Sequence, residues 1–88
     1  MEDELLLMRL EAVAERLGVQ VRYEPCEGKG GMCTLKGQRL FIIDERKTPA
    51  ERAEVIARGL AEFDLEAIYL PPAVRQAIER HSGADESE

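Results

Sequence analysis

Hydrophobic residues near the start of the chain recur at Leu6, Leu10, Val13 and Leu17, in steps of four, three and four. That spacing lays them along one stripe of a helix. Gly18 stands where a helix commonly takes a left-handed residue to close its last turn, so the spacing predicts a first helix from Asp3 to Leu17. The period then changes to two. Val19, Val21 and Tyr23 alternate with Gln20, Arg22 and Glu24, as in a strand with one buried face, and Pro25 closes the run. Met32 to Leu35 and Gln38 to Ile43 flank Lys36-Gly37, which predicts a hairpin with a two-residue turn. Its second arm, Leu40-Phe41-Ile42-Ile43, is apolar on both faces, the pattern of a strand in the middle of a sheet.

Thr48-Pro49-Ala50-Glu51 predicts a helix start, with Thr48 as N-cap, Pro49 at the first helical position and Glu51 placed to return the capping bond. Val55, Ile56, Leu60 and Phe63 supply its apolar stripe, while Glu54–Arg58 and Arg58–Glu62 are spaced as ion pairs along its edge. Gly59 interrupts this helix at a cost of about 1 kcal/mol relative to alanine. A glycine kept at that cost points to another group approaching closely. Leu65, Ile68 and Tyr69 anchor a connector, and Pro71-Pro72 opens a last helix through Val74, Ala77 and Ile78 that Gly83 is expected to end. The expected fold is α+β, in the order α-β-β-β-α-α. A small three-stranded antiparallel sheet is packed on one face by the first two helices, with the third closing one end. Residues 1–82 form one domain, and residues 83–88, with no apolar side chain larger than alanine, are expected to be a disordered acidic tail.

Composition narrows the function. A chain of 88 residues buries only about 60–65% of its unfolded surface and supports a single core. Two Phe, two Tyr and no Trp make that core aliphatic. The formal charge of −6 repels a phosphate backbone, so nucleic acid is not the expected partner. No secretory signal is visible, and no stretch approaches the roughly 20 apolar residues of a membrane span. The expected location is therefore cytoplasmic, with both cysteines reduced and no membrane partner.

The run from Gly37 to Phe63 resembles the strand and active-site helix of small zinc-dependent peptidases of the ImmA/IrrE type. Leu40-Phe41-Ile42-Ile43-Asp44 is similar to the strand of that family, and Thr48-Pro49-Ala50-Glu51-Arg52 to its capped loop. Ile56-Ala57-Arg58-Gly59-Leu60-Ala61-Glu62-Phe63 is similar to the helix that carries Leu-Ala-His-Glu-Leu-Gly-His. The resemblance implies a zincin-like fold. It places the two histidine ligands at Arg58 and Glu62 and the catalytic glutamate at Gly59. A zinc site of this kind needs two imidazoles one turn apart and a general base. An arginine guanidinium is cationic at any accessible pH and cannot replace an imidazole. The motif is degenerate at every position that would carry catalysis.

Two further features could carry chemistry. Cys26 and Cys33 flank a glycine-rich loop, and Lys29 between them would lower a thiol pKa, which suits a redox switch or half of a metal site. Against this, zinc takes four ligands, the chain has one histidine, and the spacing is not C-x-x-C, so two small buried side chains at strand ends are the plainer expectation. Gly28-Lys29-Gly30-Gly31 could cradle an anion through backbone amides, yet it lacks the phosphate-loop pattern and lies between strands. Together these features favour a non-catalytic protein-binding or regulatory module, a metal-free relic of a zincin-like fold, without a cofactor. Its expected partner is another protein or a second copy of the chain, since a three-stranded sheet leaves edges to pair. The alternative is a small metal-binding or redox protein that uses Cys26 and Cys33.

Overall fold

A computed structural model describes residues 2–25 and 31–86. In chain order the elements are α1 (Asp3–Arg16), β1 (Gln20–Glu24), β2 (Gly31–Leu35), β3 (Gln38–Asp44), α2 (Pro49–Leu60) and α3 (Pro72–Glu86). The order α-β-β-β-α-α and the α+β class are those read from the sequence. The strands form one sheet in the order β1-β3-β2.

The sheet is mixed, which corrects the expectation of three antiparallel strands. β2 and β3 are antiparallel, with Cys33 opposite Leu40, whereas β1 and β3 run parallel, with Val21 beside Phe41. The cause is the composition of β3. Its run of four apolar residues is best covered by a strand on each side, so β3 takes the centre and β1 pairs with it rather than with its chain neighbour β2. The chain reverses between β1 and β2 and again at the hairpin, and two reversals leave β1 and β3 pointing the same way.

Local signals set most boundaries. Helix α1 ends in a Schellman arrangement, in which Gly18 (φ 79°) donates to the carbonyl of Glu15 and Val19 donates to that of Ala14. Helix α2 starts with the predicted capping box: Thr48 Oγ1 accepts from the Glu51 amide at 3.2 Å, and the Glu51 carboxylate accepts from the Thr48 amide at 3.0 Å. The hairpin turns on Lys36 (φ 54°) and Gly37 (φ 80°), both left-handed, as a tight turn between right-twisted strands requires. Helix α3 runs past Gly83 to Glu86. A glycine ends a helix where it adopts a left-handed conformation; in a helical conformation it merely weakens it, by about 1 kcal/mol.

Helices α1 and α2 cover the face of the sheet that carries Phe41 and Ile43, and α3 packs on α1 and α2 without meeting a strand. The buried stripes are shifted from those read in the sequence. Leu7, Leu10, Val13 and Ala14 are buried in α1, and Ala53, Ile56, Ala57 and Leu60 in α2, while Leu6, Leu17, Val55 and Phe63 are partly buried at the margins. The centre of each stripe falls where the neighbouring helix comes closest, which spacing alone does not specify. Tyr69, expected to anchor the connector, is 76% exposed, and Leu70 is buried in its place.

Gly59 explains itself in the packing. A methyl group built on its α-carbon would lie 2.3 Å from the ring of Phe41, which is fully buried at the centre of β3. The missing side chain is the seat of the ring. Gly59→Ala is therefore expected to lower stability by about 1–3 kcal/mol through overpacking, despite a helix-propensity gain of about 1 kcal/mol. Urea denaturation checks this, and adding Phe41→Leu to Gly59→Ala should cost less than Phe41→Leu alone. Lys36→Asn should raise stability by about 0.5–1 kcal/mol, because asparagine visits the left-handed region more readily than lysine. It would be read as a higher denaturation midpoint at unchanged slope.

Candidate functional site

The two edges of the sheet differ in chemistry. The Glu24 carbonyl accepts from Glu45 on the β3 side, so the alternate residues Val21 and Tyr23 turn their backbone groups outward from β1. That edge is ringed by charge: Arg22 and Glu24 form an ion pair at 3.8 Å, and Glu11 and Glu15 line the adjoining cleft with Val21 and Tyr23. At the other edge, the two-residue turn makes Leu35 and Gln38 a hydrogen-bonded pair, which turns the backbone groups of Met32 and Thr34 outward. No described strand pairs with them. Strand β2, Gly31-Met32-Cys33-Thr34-Leu35, has no charged residue, and Leu35 is 53% exposed.

Beside this uncharged edge lies an open groove of about 450 Å³ between β2 and α2. Val55, Arg58 and Gly59 of α2, with Glu62 just past its end, form one wall, and Met32, Cys33 and Thr34 of β2 form the other. Gly59 lets α2 descend onto Phe41, and the same approach sets Arg58 and Glu62 over the groove. Arg39 and Lys47 complete the charged lining. Arg39 lies over the Phe63 ring, 5.1 Å from its centroid, while Arg58 reaches Glu54 at 4.0 Å and remains largely exposed.

Several residues singled out in the sequence thus meet in one place. Gly31, Cys33, Arg58, Gly59 and Glu62 all line this groove. Cys26, Gly28, Lys29 and Gly30 lie outside the described residues. Cys33 is exposed, which corrects the expectation of a small buried side chain. It alternates onto the sheet face opposite Phe41, in register with Leu40. Among the described residues no group of three or more His, Cys, Asp or Glu side chains could hold a metal ion.

Two polar clusters were not legible in the sequence. Asp44 is buried at the end of β3, where it accepts from the amide of Arg46 at 3.0 Å and from its guanidinium at 3.0 and 3.2 Å. The second cluster joins three elements. The Tyr23 hydroxyl on β1 donates to Glu11 of α1, and Arg52 of α2 stacks over the Tyr23 ring at 4.7 Å while donating to the Glu45 carbonyl at 2.6 Å. These residues are far apart in the chain, and no spacing rule joins them. Burial first, then the hydrogen bond to Glu11 and its negative charge, push the Tyr23 phenol above its ordinary value of 10.0, against the opposing charge of Arg52.

No protein-family model, curated protein or solved structure matches this chain. No helix among the described residues is long and apolar enough to cross a membrane.

A raised phenol pKa stabilises the fold below the unfolded value, and that contribution is lost as the pH climbs from 10.0 toward the folded value. The wild-type protein should therefore lose stability more steeply above pH 10 than Tyr23→Phe, whose ring cannot ionise. Denaturation midpoints of the two proteins between pH 8 and pH 11 check this, since Tyr69 and the lysines are common to both; parallel curves would contradict it.

Proposed function

We propose that this chain is a non-catalytic protein-binding module, acting in the cytoplasm, that accepts an extended segment of a partner protein along β2. The observation that supports the reading is the contrast between the two sheet edges. A protein normally blunts an exposed edge with charge, as this one does along β1. The β2 edge carries outward N–H and C=O groups at Met32 and Thr34, no charge of its own, and a groove alongside. Those are the requirements of strand addition, in which main-chain bonds supply affinity and a neighbouring groove receives alternate side chains.

The helix beside the groove is read as a metal-free relic of a zincin-like fold. Its residues Arg58, Gly59 and Glu62 stand where the resemblance to ImmA/IrrE-type peptidases would put two imidazoles and a glutamate. One carboxylate beside a guanidinium does not supply the two imidazoles and the separate general base that such a zinc site needs. The donor set suits recognition of a chain rather than its hydrolysis.

Affinity capture with the wild-type protein and with Thr34→Pro tests the proposal. Proline removes the outward N–H of an edge strand without breaking the inner ladder. A partner retained by the wild type and lost by Thr34→Pro, with slowed amide exchange at Met32 and Thr34 when the purified partner is added, is the expected result. Equal retention by the two proteins, or protection elsewhere, would contradict it. Stoichiometric zinc bound through thiolates would favour instead the metal or redox role of Cys26 and Cys33.

A further inference from the structure

We infer that the segment added to β2 is acidic, with carboxylates at alternate positions, an inference that rests on reading β2 as the docking strand. The chain carries a net charge of −6, yet among the described residues the charged lining of this groove is Arg39, Lys47 and Arg58 against Glu62. The cations are spread along its length. Arg39 lies opposite Thr34 near the hairpin, Lys47 lies beyond the other end of β3, and Arg58 projects from α2 between them.

Alternate side chains of an extended segment fall on one face. A strand laid against β2 therefore turns every second side chain toward α2, over the groove that carries Lys47, Arg58 and Arg39. Carboxylates at those positions meet cations whose own partners are weak or shared: Arg58 reaches Glu54 only at 4.0 Å, and Arg39 rests on the Phe63 ring. Positive charge along a receiving groove selects an acidic partner by complementarity. The remainder of the protein, being acidic, confines that attraction to the groove.

Three synthetic peptides test the inference: acetyl-Thr-Glu-Val-Glu-Val-Glu-Thr-amide and its counterparts with glutamine or lysine in place of every glutamate. Backbone amide spectra and hydrogen exchange of the full chain read both affinity and location. The glutamate peptide should bind about five- to tenfold more tightly than the glutamine peptide, slow exchange at Met32 and Thr34, and lose most of its advantage in about 1 M salt. Arg58→Gln, an exposed substitution that leaves the core intact, should remove part of the same advantage. Equal binding of the glutamate and glutamine peptides with protection at Met32 and Thr34 would overturn the acidic preference and leave strand addition standing. Tighter binding of the lysine peptide would overturn it too. If no peptide slows exchange at those two amides, the reading of the β2 edge fails, and the acidic preference with it.

Discussion

The contact of the Phe41 ring with the bare α-carbon of Gly59 sets the distance between the sheet and its principal helix. The ring is interior and the glycine half-buried beside the groove. Phe41 is fully buried at the centre of β3, and Gly59 lies on the face of α2 turned toward it. Fully burying a ring of this size contributes about 1.5–3 kcal/mol, which more than offsets the helix propensity lost at a glycine. Any side chain at 59 would hold the helix off the ring and open a gap along β3. Ile43, Ile56, Ala57 and Leu60 belong to the same cluster and follow the same spacing.

That contact also shapes the candidate site. With α2 drawn down onto β3, Arg58 and, just past the helix end, Glu62 line the groove beside β2. The groove is thus a by-product of core packing, furnished with charge by the helix margin. Farther along, Arg52 ties the start of α2 to β1 by stacking on Tyr23, which is bonded in turn to Glu11 of α1. One edge is therefore held in a polar network and surrounded by acids. The other is left uncharged, with its main chain turned outward.

Arg58, Gly59 and Glu62 have separate roles in this arrangement. Gly59 is structural, since it receives a ring. Arg58 and Glu62 are surface groups at the groove, the first on the last turn of α2 and the second in the turn that follows it. Around them Phe41, Ile43, Ile56 and Leu60 pack the core, and Thr48 caps the helix.

The sequence by itself determined the features that depend on a few adjacent residues. The capping box at Thr48, the closing turn at Gly18, the hairpin at Lys36-Gly37 and the apolar run that centres β3 are each complete within a short stretch. Gly59 was legible as a site of close approach, though its partner was not. Tertiary structure alone decided the parallel pairing of β1 with β3, the burial of Leu7, Ala14 and Asp44, the exposure of Tyr69 and Cys33, the joining of Glu11, Tyr23 and Arg52, and the gathering of Gly31, Cys33, Arg58 and Glu62 around one groove. The reason is physical: caps and tight turns are satisfied by neighbours in the chain, whereas strand order and side-chain burial are settled by which distant surfaces best exclude water from one another.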